Sequence, residues 1–263
     1  MLSATQLLQL EGEVIFQQKL EKQICRVFEN AQYRWFTLGG DAVQAIMAKA
    51  QPETILLAIP QALLIFTLWQ SKAKSILNLG LGAGGLERAL THHYTFDITA
   101  IEQQAEIITM AKRYFNLPDS VLAIAETAES FLAKTKSTFD IILCDIYQQE
   151  QSPKALFSST FYLNLSKKLT PTGCALVSVN SNAEQLTELL TKLRCLNLHI
   201  SLIDFNDYKN IIVLLSKTPL PTKAQLITVN RQHVNAFNID FSPYIERMHV
   251  IPAAKHFIDQ QQV

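Results

Sequence analysis

The stretch 75-SILNLGLGAGGLERAL-90 decides the reading of this chain. Ser75 to Leu79 is a short apolar run with the look of a buried strand. Gly80, Gly82 and Gly84 follow at spacing GxGxG, and a helix-like pattern comes next. Glycines between a strand and a helix allow a tight turn and let a ligand lie against bare backbone at the helix N-terminus. The spacing alone is a weak signal, because many strand–helix turns carry glycines for packing. Glu102 strengthens it. It ends the next apolar run, "FDITAIE", 20 residues after Gly82. An acid there can hold both ribose hydroxyls of a nucleoside; taken alone it also fits an acid at a helix N-terminus, favoured by the dipole. Strand, glycine loop, strand and acid together predict a nucleoside site.

Outward from the loop, strand-like and helix-like runs alternate. "FDITAIE", "SVLAIA", "FDIILCD" and "GCALVSV" read as strands, and "QQAEIITMAKRYF", "ETAESFLAKT", "SSTFYLNLSKKL" and "NAEQLTELLTKL" as helices. Such alternation marks a parallel sheet covered on both faces. After Leu193 the rhythm changes, and "LHISLIDF" and "NIIVLLSK" read as a hairpin around "NDYK". A parallel sheet closed by an antiparallel pair is the layout of the class I methyltransferase-type (Rossmann-like) α/β fold. Residues 12–47 read as short strands. The expected division is a small N-terminal β-domain over 1–53, a buried linking helix over 54–73 and the Rossmann-like unit over 74–263.

Composition narrows the function. The chain has 263 residues, with 23 basic and 23 acidic side chains. Zero formal charge offers no electrostatic case for nucleic acid or an anionic membrane. Charged residues are only 17%, which points to extra buried surface and a homodimer. Cys25, Cys144, Cys174 and Cys195 form no CxxC pair, and the two in strand-like runs read as buried thiols. "MLSATQLLQLEGE" lacks the pattern of a signal peptide, so a cytoplasmic setting is expected. "TILLAIPQALLIFTLW", Thr54 to Trp69, is apolar but shorter than a membrane span, and reads as a buried helix bent at Pro60. The histidines have no metal spacing, and no metal is expected.

The remaining strand ends add candidates. Glu126, Thr127 and Ala128 follow the third strand of the alternating region, an acid–small pair like that which reads adenine in S-adenosyl binders. Asp145 ends the fourth, facing the same crevice, where ligands bind in such sheets.

In this order the motifs resemble the spermidine synthase (polyamine aminopropyltransferase) family, over roughly residues 23–180. "QICRVFENAQYRWFTLGGDAVQ" is similar to the family's β-domain, whose closing Gln lines the nucleoside pocket; here that is Gln44. "ALFSSTFYLNLSKKLTPTGCALVSV" looks like the helix and strand after the family's catalytic loop. The resemblance implies an S-adenosyl donor held by Gln44, Gly80, Gly82, Gly84, Glu102, Glu126, Thr127, Ala128 and Asp145, with Asp145 catalytic.

The chain also departs from the pattern. The family's glycine loop carries an Asp for the ammonium end of decarboxylated S-adenosylmethionine, and this chain has Ala83. Where the family has a second Asp after the fourth strand, this chain has Asp145-Ile146-Tyr147-Gln148, and the family's Tyr-His pair falls on Glu53 and Thr54. A carboxylate beside the carboxylate of ordinary S-adenosylmethionine would repel it by on the order of 4 kcal/mol at roughly 4 Å and an effective dielectric near 20. Ala83 removes that repulsion and Gln148 removes a partner for a cationic acceptor, so methyl transfer from S-adenosylmethionine to an amine is expected. The alternatives are aminopropyl transfer from the decarboxylated donor and a catalytically silent homologue. Tyr147, Gln148 and Glu53 are candidate contacts for a small-molecule or protein amine acceptor, with an N-terminal helix acid as the other reading of Glu53.

Overall fold

In the computed structural model, residues 2–21, 23–146, 152–206, 208–232 and 235–252 are described. A short helix, α1 (Ala4–Leu8), begins at Ser3, whose side chain and that of Gln6 cap one another's backbone. Four strands follow: β1 (Glu13–Lys19), β2 (Ile24–Glu29), β3 (Tyr33–Leu38) and β4 (Val43–Ala48). They form an antiparallel sheet in chain order. Phe28 and Trp35 sit directly opposite on β2 and β3, with rings stacked 5.6 Å apart. Cross-strand aromatic pairs of this kind set register and add a few tenths of a kcal/mol to about 1 kcal/mol. Val27, Phe36 and Met47 turn to the other face and are buried.

Beyond that layer, α2 (Ala58–Leu63) leads into β5 (Ser75–Leu79), α3 (Gly85–His93), β6 (Asp97–Glu102), α4 (Ala105–Tyr114), β7 (Leu122–Ala125), α5 (Ala128–Lys134) and β8 (Phe139–Cys144). Next come α6 (Ser159–Lys167), β9 (Leu169–Asn180), α7 (Ala183–Leu193), β10 (His199–Asp204), β11 (Asn210–Ser216), α8 (Lys223–Gln232), α9 (Ser242–Glu246) and β12 (Met248–Ile251). Among the described residues these strands make one sheet, ordered β12-β10-β11-β9-β8-β5-β6-β7. The five from β9 to β7 are parallel, while β11 runs antiparallel to both β9 and β10. This is the expected class I methyltransferase-type sheet preceded by an antiparallel β-layer.

The strand period of two splits the core between the sheet's faces. Ile76, Ile141, Leu143, Leu176 and Leu214 pack on one side, with residues 62–68, α3 and α9. Leu77, Leu79, Ile142, Val177 and Leu215 pack on the other, with α5, α6 and α7. Cys144 and Cys174 are buried thiols on opposite faces, and burial pushes Cys174 up to about 12.

One expectation is corrected. The apolar run from Thr54 is not one bent helix. Thr54 to Leu57 are non-helical, α2 starts at Ala58, and a 3-10 turn covers Leu64–Leu68. Pro60 is the third helical residue, where no carbonyl lies one turn back to receive an N–H, so it starts the helix and does not kink it. The segment "FSPYIERMHVIP" extends the main sheet beyond β10. It supplies α9 and β12, and β12 pairs antiparallel with β10. Arg247 and Asp204 hold that edge with an ion pair at 2.8 Å, and Tyr244 donates to Gln61 of α2 at 3.0 Å. Among the described residues no helix is long and apolar enough to cross a membrane.

The two layers meet across the glycine loop. Leu20, Cys25, Val27, Phe36 and Met47 pack against Ala83 and against Ile107, Met110 and Phe115. Arg88 ties the junction together. Its guanidinium is 5% exposed and donates to the carbonyls of Pro52 at 2.9 Å, Phe115 at 2.6 Å and Ala83. Removing it would strand three carbonyls, at about 1–3 kcal/mol for each one left buried and unpaired. Arg88→Met is therefore expected to lower unfolding free energy by at least about 2 kcal/mol in urea titration. An unchanged midpoint would show that the clamp is dispensable.

Candidate active site

The C-terminal ends of β5, β6 and β8 converge on the glycine loop. Gly80 N–H donates to Ile101 O of β6 at 2.8 Å, and Asp145 N–H donates to Leu79 O at 3.0 Å. Gly80 has φ +97°, and a Cβ there would stand 2.6 Å from the carbonyl oxygen of Asp145. Only glycine lets these two chain ends approach so closely. Gly82, at φ +53°, faces open space. Ala83 is buried in the apolar junction.

A cleft of about 1010 Å³ opens beside the loop. Gln44, Gly80, Gly82, Ala83, Glu102, Glu126, Thr127, Ala128 and Asp145 all line it. Residues on five strands or strand ends, far apart in sequence and drawn from both sheets, are thus brought to one cleft. Gly84 and Glu53 are not among the lining residues. Gly84 instead caps α3 in the left-handed conformation, and a Cβ there would meet Leu117 at 2.7 Å. It serves the turn and its packing. Glu53 is half-buried outside the cleft, on the side of His93. Thr54, its neighbour, does line the cleft. Tyr147 and Gln148 lie outside the described residues.

Glu102 is half-buried, and its carboxylate accepts from Gln104 N–H at 3.1 Å and Gly82 N–H at 3.4 Å. Burial pushes its pKa up, opposed by the backbone donors of Gln104, Gly82 and Gln103. Carboxylate oxygens held beside a glycine loop can also accept a pair of vicinal hydroxyls. Glu126 is held differently. Lys134 and Ser130 both bond its Oε1, at 2.7 and 2.6 Å, and lower its pKa. Thr127 caps α5 by accepting from Ser130 N–H at 3.2 Å.

Asp145 sits where β8 ends. Burial pushes its pKa up, and a hydrogen bond with Ser178 of β9 opposes that shift. Asn210 of β11 donates to Ser178 Oγ at 3.0 Å. Ser178 and Asn210 are 2% and 6% exposed, so the relay is dry and oriented. Reading the sequence missed both. Ser178 lies within an apolar strand, and Asn210 is 32 residues farther on. Only the β9–β11 pairing brings them together. Among the described residues no group of three or more His, Cys, Asp or Glu could hold a metal.

The sheet order and the crevice at its strand ends are those of the class I methyltransferase-type fold. The family model of the spermine/spermidine synthase domain matches residues 62–197, just over half of the chain, and the chain belongs to that family. It is 25% identical over 151 residues to a polyamine aminopropyltransferase of Chromobacterium violaceum. That match takes in 56% of this chain and 58% of the relative's length. In fold it is similar to a probable spermidine synthase from Corynebacterium glutamicum, with TM-score 0.74 and 16% identity, covering 84% of this chain and 88% of that one. It also resembles a spermidine synthase solved with the transition-state analogue AdoDATO, with TM-score 0.65 and 16% identity over 89% and 83% of the two chains.

The loop glycines separate by experiment. Gly80→Ala must push Asp145 away, so it is expected to lower both the melting temperature and nucleoside affinity. Gly82→Ala meets no atom within 4 Å and carries only the left-handed strain, about 1–2 kcal/mol. It should melt close to wild type but bind nucleoside poorly. Equal melting temperatures for the two variants would contradict the close approach at Gly80.

Proposed function

We propose that this cleft binds a cationic S-adenosyl donor and transfers its aminopropyl group to an amine, with Asp145 at the reacting end. The charge of the cleft carries this reading. Glu21, Glu102, Glu126, Glu129 and Asp145 line it, and among the described residues its only lining cation is Arg88. Arg88 is spent on three carbonyls. Lys134 offsets Glu126, and the other acids remain. Decarboxylated S-adenosylmethionine brings a sulfonium and an ammonium, and an amine acceptor brings a further cation. A cleft lined with one sign of charge concentrates such ligands. Ordinary S-adenosylmethionine adds a carboxylate, which would find no free cation among the described lining residues. The polyamine aminopropyltransferase relative of Chromobacterium violaceum supports the same choice.

The expectation of methyl transfer rested on Ala83 and on Gln148, which lies outside the described residues, and it gives way here. Ala83 is 2% exposed, packed among apolar side chains, and its carbonyl is held by Arg88. The substitution takes a carboxylate away without bringing in a group that would bind one. Methyl transfer is kept as the second reading, on the absence of an acid at Ala83 alone.

The donor supplies a carbon activated by the sulfonium. A neutral amine forms the new C–N bond as the C–S bond breaks, and the electron pair leaves with sulfur. Asp145 accepts the proton lost by the amine or orients its lone pair, with Ser178 and Asn210 fixing the carboxylate. Glu102 holds the ribose hydroxyls, Gln44 covers the nucleoside from the β-layer, and Thr127 and Ala128 border the adenine. Alignment of donor and acceptor supplies much of the acceleration.

Calorimetric titration with both donors, followed by mass spectrometry of products with a diamine, tests the proposal. The decarboxylated donor should bind more tightly, and product mass should rise by an aminopropyl group. Tighter binding of S-adenosylmethionine with a methylated product would establish the second reading instead. Asp145→Asn should leave donor affinity within about threefold and lower kcat by about 10²-fold or more. Because Asp145 must be ionised to take a proton, and burial raises its pKa, kcat should fall as pH is lowered through that raised value. The fall should begin at higher pH than for an ordinary carboxylate.

A further inference from the structure

Asn78 and Glu87 form a buried polar pair behind the glycine loop. Asn78 stands on β5 and is 1% exposed; Glu87, in the first turn of α3, is 0% exposed. Asn78 Nδ2 donates to Glu87 Oε1 at 2.5 Å and to the carbonyl of Gly80 at 3.3 Å. Asn78 also lines the cleft, so one amide side chain separates Glu87 from it. Asn78 Oδ1 and Glu87 Oε2 have no hydrogen-bond partner. Two buried acceptors without partners are costly, on the order of 1–3 kcal/mol each. A proton on Glu87 Oε2 would relieve one of them and could be shared with Asn78 Oδ1.

The surroundings favour a carboxyl that holds this proton until a cation arrives. Burial pushes Glu87 up to about 7. The charge acting on it is Arg88, the next residue of α3, already bound to the carbonyls of Pro52, Ala83 and Phe115. Asn78, facing it from β5, is neutral. Glu102 and Asp145, at the ends of β6 and β8, line the same cleft. Ala83 leaves the loop without a carboxylate of its own. A cation brought to the loop would favour the ionised form of the carboxyl behind it.

We propose that Glu87, acting through Asn78, is the countercharge for the cationic donor, a positioning residue that releases its proton to solvent as the donor binds and thereby favours cationic over neutral nucleosides. This rests on the reading of the cleft as a site for a cationic S-adenosyl donor.

The test is calorimetry on wild type and Glu87→Gln, near the Glu87 value of about 7, in two buffers of different ionisation enthalpy. The probes are decarboxylated S-adenosylmethionine and the neutral thioether 5′-methylthioadenosine. The glutamine amide can still accept from Asn78 and donate to its Oδ1, so the variant keeps the pair without the charge. Wild type should release a fraction of a proton on binding the cationic probe and none with the thioether. Its affinity for the cationic probe should rise as pH is raised through that value. Glu87→Gln should lose the proton release and about tenfold in affinity for the cationic probe, the equivalent of one pKa unit, while binding the thioether as wild type does. Equal proton release and equal affinities in the two proteins would overturn the inference and leave the donor reading standing. Binding of neither probe to wild type would overturn both. Should the variant fail to fold, the absence of proton release in wild type is by itself enough to sink the idea.

Discussion

The rest of the structure depends on one close approach, that of Gly80 to the main chain of Asp145. A Cβ at residue 80 would lie 2.6 Å from the Asp145 carbonyl oxygen, closer than van der Waals contact permits. With glycine there, the end of β5 can lie flush against the end of β8. Gly80 N–H then reaches β6, and Asp145 N–H reaches back to Leu79. Three strand ends are locked together by two hydrogen bonds and one missing side chain. The crevice above them is where ligands of such open α/β sheets bind.

Around that contact, the energetics of burial and of binding pull in opposite directions. The junction between the β-layer and the main sheet is apolar except for Arg88, and burying a guanidinium is costly unless its donors find acceptors. Three carbonyls from three segments use it, which joins the N-terminal chain at Pro52, the glycine loop at Ala83 and the end of α4 at Phe115. The arrangement occupies Arg88, the cation among the described lining residues; Lys134 offsets Glu126, and the other lining acids remain. A structural requirement at the junction thus shapes the electrostatics of the site. A field of that sign suits a cationic donor, which is why cleft charge outweighs the substitution at Ala83 in the functional reading.

The strand alternation, the glycine loop, Glu102 and Asp145 were all legible in the sequence, because each depends on local periodicity or on a residue at a strand end. The alternating apolar runs could bury both faces only in a sheet covered on each side, and the glycine spacing could serve only a tight strand-to-helix turn. What local pattern could not decide was which residues meet across the sheet. Gly84 belongs to the same GxGxG as Gly80 and Gly82, yet its missing Cβ makes room for Leu117 and not for a ligand. Glu53 follows the motif order and still lies outside the cleft, on the side of His93, while its neighbour Thr54 lines it. The Ser178–Asn210 relay behind Asp145 exists only because β11 is inserted antiparallel beside β9. The Asn78–Glu87 pair exists because a strand residue and a residue in the first turn of α3 turn toward each other under the loop. Sequence by itself therefore determined the fold class and the main-chain frame of the site. The charge balance of the cleft, and the buried partners that tune its acids, were decided by tertiary packing, because electrostatic effects depend on distance and burial, which local sequence does not set.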